Sequence, residues 1–223
     1  MTDRDEVIRH IAACIDSIHL DHPTRVGIDG VDAAGKTTLA DELADWLNRS
    51  GRTVIRASID GFHNPSAVRR QRGPDSPEGY FQDSFNYSAL RAVLLDPLGS
   101  AGSLCFQRAV FDFRTDRPVE SPTEEATIDS ILLFDGVFLL RPEVRDCWDF
   151  SVFVQAEFST TLKRAISRDL ELFGGKTEVL RRYTERYVPG QKIYLSEVDP
   201  ERLASLVVVN DDPISPVLGT SAV

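Results

Sequence analysis

The segment Gly30-Val31-Asp32-Ala33-Ala34-Gly35-Lys36-Thr37 lies between the apolar run RVGID and a helical pattern that repeats Leu39, Leu43 and Leu47 on one face. No other feature constrains the fold as tightly. A strand, a glycine-containing turn and an amphipathic helix that Gly51 stops, followed by a second strand at TVIRASI, make a βαβ unit. Such units assemble into a parallel sheet. The spacing G-x-x-x-x-G-K-[ST] also has a chemical meaning. Glycines let successive backbone N–H groups turn inward around an anion, and the helix start adds the positive end of its dipole. Gly30, Val31, Asp32, Ala33, Ala34, Gly35, Lys36, Thr37 and Thr38 are therefore expected to cradle a nucleoside triphosphate. Lys36 is expected to reach the β- and γ-phosphates, and the Thr37 hydroxyl to ligate Mg²⁺.

The rest of the chain extends this pattern. ILLFDGVFLL reads as a buried central strand, and Asp135 at its end is the expected metal-supporting acid, because a carboxylate there needs a partner. FSVFVQA and LASLVVVN read as further strands. Residues 3–19 form a helix with Val7, Ile11, Ile15 and Ile18 on one face, and SALRAVLLDPL is a helix closed by Pro97. STTLKRAISRDLELF is a helix with Ser159 as N-cap, and EVLRRYTERYVPGQKIYLSEV reads as helix, break, helix. Residues 64–88 read as an irregular functional loop, and SLCFQRAVFDF as a hairpin or edge elements. The expected fold is α/β, one domain over residues 1–223, fraying after Pro213. Thirty-five Asp and Glu against 25 Lys and Arg give a formal net charge of -10, which disfavours extended nucleic-acid or anionic-membrane binding. Cys14, Cys105 and Cys147 are odd in number and far apart, which argues against a disulfide framework or zinc site. The charged N-terminus and the lack of an apolar run of ~18 residues point to a soluble, cytoplasmic protein.

No N-K-x-D reads guanine and no L-S-G-G-Q marks a transporter ATPase. Asp60 in SIDGFH instead stands where strand ends gather at a ligand crevice, so it can take a proton from an attacking hydroxyl. The alternative for Asp60 is a turn residue before Gly61, and for Asp135 a capped turn residue before Gly136. Arg164 and Arg168, at i and i+4, are candidates to neutralise charge during transfer, with Gly174 and Gly175 as hinges; they could equally pair with nearby acids. On the acceptor side, Phe62 and His63 follow Asp60, and Arg69, Arg70 and Arg72 form a basic cluster that suggests an anionic acceptor, a phosphorylated sugar or a carboxylate, with a solvated face as its alternative. Tyr80 and Phe85 could stack on a ring or serve the core, and Arg108, Asp112 and Arg117 would project from the hairpin.

GIDGVDAAGKTTLADELA, SIDGFH, VFDFRTDRPV, ILLFDGVFLL, AISRD and RRYTERYVPGQKIYL occur in an order that resembles the uridine kinase-like branch of P-loop kinases. That branch includes uridine/cytidine kinases, phosphoribulokinase and the bacterial pantothenate kinase type. The resemblance spans about residues 24–213. It implies a three-layer sandwich with a five-stranded parallel core, a mobile helical lid near residues 159–190, ATP as donor, Mg²⁺, and a small hydroxyl compound as acceptor. It permits a homodimer. It puts Asp60 at the base position, Asp135 at the second-strand acid, and Arg164 and Arg168 in the lid helix. The chain departs from uridine kinases on the acceptor side. Tyr80 and Phe81 replace their Asp-His pair, FDFRTDR lacks their base-reading His, and LFGG replaces an arginine pair. The expected acceptor is a nucleoside, with a sugar, a sugar phosphate or a pantothenate-like acid as alternatives. A nucleotide-binding regulatory module with only slow hydrolysis is a further alternative.

Overall fold

The computed structural model describes residues 3–219. The chain runs α1 (Asp3–Asp16), β1 (Thr24–Gly30), α2 (Lys36–Arg49) and β2 (Val54–Ser58), the expected βαβ unit after a leading helix. Three short helices follow, α3 (Ser66–Arg69), α4 (Pro77–Asp83) and α5 (Tyr87–Leu90). Four two-residue strands, β3 (Cys105–Phe106), β4 (Phe111–Asp112), β5 (Arg117–Pro118) and β6 (Glu124–Glu125), pair as β3–β6 and β4–β5. Then come β7 (Ile131–Asp135), β8 (Phe150–Gln155), α6 (Phe158–Asp169), α7 (Lys176–Arg182), α8 (Val188–Val198), α9 (Pro200–Leu203), β9 (Leu206–Val209) and β10 (Val217–Gly219).

The main sheet has the order β10-β9-β8-β1-β7-β2. Its five strands from β9 to β2 are parallel, and β10 adds an antiparallel edge. Alternate residues of the central strands feed two cores. Val26, Ile28, Leu133 and Val152 pack under α1 and α2, while Leu132, Phe134 and Phe153 face Leu90, Phe138 and Tyr194. Burial on both faces explains why β7 reads as an unbroken apolar run.

Four local expectations change. The chain beyond Pro213 returns as β10 rather than fraying up to Gly219, because Val217 to Gly219 find backbone partners on β9; residues 220–223 lie outside the described part. Residues 64–88 are not irregular throughout: Ser76 caps α4 by accepting from Gly79 N–H, and Pro77 sits where its missing N–H costs nothing. Glu157, not Ser159, is the N-cap of α6, and its own N–H donates to Asp211 at 2.9 Å. The break expected within EVLRRYTERYVPGQKIYLSEV does not end the helix: a π-helical turn over Tyr183–Tyr187 precedes Pro189, and the chain stays helical from Lys176 to Val198.

Candidate active site

The β1–α2 turn takes its shape from close backbone approaches. Gly30 has φ 152, and a Cβ there would strike the Val154 carbonyl oxygen of the neighbouring strand. Gly35 has φ 101 and ends at the Asn210 amide, which itself donates to the Ala34 carbonyl at 2.6 Å. Inside this turn Lys36 is buried, 8% exposed, and its Nζ donates to the Val31 carbonyl at 2.7 Å. No carboxylate lies within ion-pair distance of it among the described residues. Burial pulls the Lys36 ammonium below its ordinary pKa; the charges of Asp32, Asp29 and Asp135 only partly oppose this. A buried ammonium without a contacting counter-charge is costly, and a bound phosphate would supply that charge. The cradle thus fits a polyphosphate.

The Thr37 hydroxyl donates to Asp135 Oδ2 at 2.7 Å, so two hard oxygen ligands meet beside Lys36. No cluster of three His, Cys, Asp or Glu suited to a metal occurs among the described residues. The donor set therefore suits Mg²⁺ carried in with a nucleotide, held by one or two protein oxygens plus phosphates, rather than an all-protein cage.

These groups open onto a cavity of about 710 Å³. Asp32, Lys36, Thr37 and Asp135 line it next to the glycine turn, and Asp60, His63, Tyr80 and Phe85 also line it. Asp60 sits in a 3₁₀ turn directly after β2, where Ser58 accepts from its N–H at 3.4 Å. It is open to the cavity, yet desolvation by the surrounding protein raises its carboxyl pKa. The nearby charges of Asp32 and Asp135 add to that, against the pull of His63 and Lys36. His63 is held between Phe85 and Phe113, with ring centroids 4.6 Å and 4.7 Å away. Its Nδ1 lies 3.0 Å from the Asp60 carbonyl; a carbonyl only accepts, so Nδ1 carries the proton. Burial holds the His63 pKa below its ordinary value, which leaves Nε2 as an acceptor.

Arg168 also lines the cavity, gripped by Asp169 at 2.7 and 2.9 Å and by the Tyr183 hydroxyl at 3.0 Å. Arg164 does not reach it: its guanidinium ties the Asn210 and Asp211 carbonyls behind the phosphate turn. Phe62 turns wholly into the core. Three of the expected acceptor arginines are engaged elsewhere. Arg69 pairs with Asp116 at 3.0 Å, Arg72 with Asp83 at 2.8 Å and Arg108 with Glu124 at 2.6 Å. Asp112 spends its carboxylate on Arg114 N–H and the Thr115 hydroxyl of its own turn, which holds its pKa low. Arg117 is exposed and off the cavity wall. The β4–β5 turn does reach the cavity, through Phe113 and Arg114.

Several wall residues escaped the sequence reading: Phe113, Arg114, Asp169, Tyr183 and Tyr187. Asp32 is also more than a loop residue. Its carboxylate accepts from the Tyr80 hydroxyl at 2.8 Å and from Gln191 at 2.7 Å, joining the phosphate turn to α4 and α8.

Residues 26–197 match the family described as Phosphoribulokinase / Uridine kinase. A uridine kinase of Leuconostoc citreum (strain KM20) is 26% identical over 196 residues, 83% of this chain and 87% of that protein. A pantothenate kinase of Rhodopseudomonas palustris (strain BisA53) is 32% identical over 184 residues, 75% of this chain but 56% of that protein. The solved structure of a possible uridine kinase from Bacillus stearothermophilus superposes with a TM-score of 0.71 at 22% identity, covering 91% of this chain and 97% of that one. That likeness concerns the fold.

Proposed function

The chain belongs to the phosphoribulokinase/uridine kinase family, and on that premise we propose that this ATP-dependent small-molecule kinase phosphorylates a hydroxyl of a neutral, ring-bearing acceptor, a nucleoside first of all. The observation that carries the nucleotide half is the buried, counter-charge-free Lys36 inside the glycine turn. The acceptor half rests on the cavity wall. Its carboxylates Asp32, Asp60, Asp135, Asp169 and Glu171 outnumber its cations Lys36, Arg114 and Arg168, which disfavours a second phosphorylated substrate. Phe113 and Tyr187, both partly exposed, and the buried Tyr80 and Phe85 make part of this wall aromatic, which suits a ring better than a charged group.

In the proposed reaction Lys36 and the turn's N–H groups hold the polyphosphate. Mg²⁺, held by Thr37 and Asp135, would neutralise charge on the phosphate oxygens. Asp60 accepts the proton of the acceptor hydroxyl as its oxygen bonds to the γ-phosphorus and the bond to the β-phosphate oxygen breaks. Arg168 stands ready to balance charge on the transferred group. The segment from α6 to the π turn is the proposed lid, with Gly174 and Gly175, both at positive φ, as its hinge. A reducing cytoplasm suits the free thiols of Cys14, Cys105 and Cys147, and the helices contain no candidate membrane span among the described residues.

A second reading has one observation of its own. Arg114 lines the cavity without a carboxylate within ion-pair distance among the described residues, and could meet a carboxylate acceptor of the pantothenate kind. ADP release with ATP and Mg²⁺, screened against nucleosides, pantothenate, sugars and sugar phosphates, separates the readings. Strong stimulation by a nucleoside, lost by about 10²–10⁴-fold in Asp60→Asn with ATP affinity kept, is the expected result. Stimulation by pantothenate alone selects the second reading. Slow hydrolysis unaffected by any acceptor or by Asp60→Asn would overturn both and leave a regulatory module.

A further inference from the structure

β2 is the edge strand beside β7, and its alternation sends Ile55 and Ala57 into one core while Arg56 turns under α2. A guanidinium in that place must find partners. Its Nη2 donates to Asp41 Oδ1 of α2 at 2.9 Å and to Asp135 Oδ1 of β7 at 3.0 Å. Its Nε reaches Asp41 Oδ1 at 3.1 Å, and its Nη1 the Leu133 carbonyl at 2.7 Å. Asp135 is 4% exposed, and both its oxygens are now assigned, Oδ1 to Arg56 and Oδ2 to the Thr37 hydroxyl.

We propose that Arg56 is a positioning residue for the nucleotide's Mg²⁺: it fixes the plane of the Asp135 carboxylate so that Oδ2 stays beside Thr37. This rests on the phosphotransferase reading. The charge arrangement supports it. Two carboxylates share one guanidinium, so Arg56 orients Asp135 without neutralising it fully, and the carboxylate can still bind a divalent cation. Without Arg56, Asp41 and Asp135 lose their common partner and repel each other, and Asp135 loses one of its two orienting hydrogen bonds. Groups of this kind around a metal ligand typically change metal affinity 10–100-fold. A mere strut between α2 and the sheet would change melting temperature and leave the metal dependence alone.

The test titrates Mg²⁺ at fixed ATP and reads nucleotide binding by calorimetry, alongside ATP binding in EDTA and the melting temperature. Arg56→Met is expected to raise the half-saturating Mg²⁺ about 10–100-fold, with metal-free ATP affinity within about twofold of wild type. Arg56→Lys keeps the charge but loses the fork that bridges two carboxylates, so it too should raise the midpoint, and it carries the test if Arg56→Met does not fold. Asp41→Asn leaves Arg56 on Asp135 and should raise it less. An unchanged or lower Mg²⁺ midpoint in the Arg56 variants overturns the inference. A wild-type protein that shows no Mg²⁺-dependent ATP binding overturns the phosphotransferase reading, and this inference with it.

Discussion

Asp60 and His63 share one turn but are pushed in opposite directions, both chiefly by desolvation: the carboxyl upward, the imidazole downward. A general base must be ionised, so activity should rise with pH as Asp60 loses its proton. Because its pKa is raised, that acid limb should lie above the range of an ordinary carboxylate. The folded state also holds the Asp60 proton more tightly than the unfolded chain, so this group favours folding progressively as pH falls through its folded pKa and opposes it above. Asp60→Asn should therefore lose the acid limb together with the rate and leave a protein at least as stable at neutral pH. A kcat/KM profile of wild type that stays flat down to the ordinary carboxylate range would remove Asp60 from the base role. At this scale the sequence is readable where a side chain is tied to a local backbone motif, as Lys36 and Thr37 are to the glycine turn. It is opaque where the deciding partner is distant. Arg69 looks free until Asp116, 47 residues away, takes it, and Arg108 until Glu124, 16 residues away, does the same. The cavity wall residues Phe113 and Arg114 sit next to Asp112, which had been expected there, because a two-residue ladder leaves the intervening turn, not the strand, to reach inward.

The turn between β1 and α2 is the element on which the site hangs, and its rigidity comes from the sheet. Gly30 pairs with Val154 in the β1–β8 ladder, so a methyl at position 30 meets a carbonyl that cannot retreat without breaking that ladder. Gly30→Ala also forces an L-residue to φ 152, a strain of about 1–3 kcal/mol by itself. At about 2–4 °C per kcal/mol for a chain of this size, the melting temperature should fall by several degrees and nucleotide affinity with it. A variant that melts with wild type would show that the turn can relax. This element was legible from the sequence because hydrophobic period, glycine spacing and helix face all agree over a few residues. The helices of residues 64–88 were hidden because Pro65, Gly73, Pro74 and Pro77 act as breakers in general yet are harmless at a first turn, where Pro77 stands. The break expected within EVLRRYTERYVPGQKIYLSEV misled in the same way: the π turn before Pro189 frees the backbone without ending the helix.

The whole molecule brings together at the carboxyl ends of the sheet's strands groups that the chain keeps far apart: Lys36 from α2, Asp60 after β2, Asp135 from β7 and Arg168 from α6. The unfolded chain has no such site, so a ligand of the site stabilises only the fold, by about 2.7 kcal/mol at a hundredfold excess over Kd. For a chain of this length that corresponds to about 5–11 °C in melting temperature. Lys36 turns the same logic around. Its ammonium is buried among Asp29, Asp32 and Asp135 without contacting any of them, and burial lowers its pKa, so the empty fold carries a cost that a phosphate would relieve. Lys36→Met should then leave the nucleotide-free protein as stable as wild type or more so, while abolishing most of the Mg²⁺·ATP shift. Thermal unfolding of both proteins with and without Mg²⁺·ATP decides it. If Lys36→Met melts well below wild type without nucleotide, the lysine is a strut of the turn, held by its bond to the Val31 carbonyl. If it keeps the full shift, the phosphates are held elsewhere and the placing of the nucleotide at the glycine turn fails.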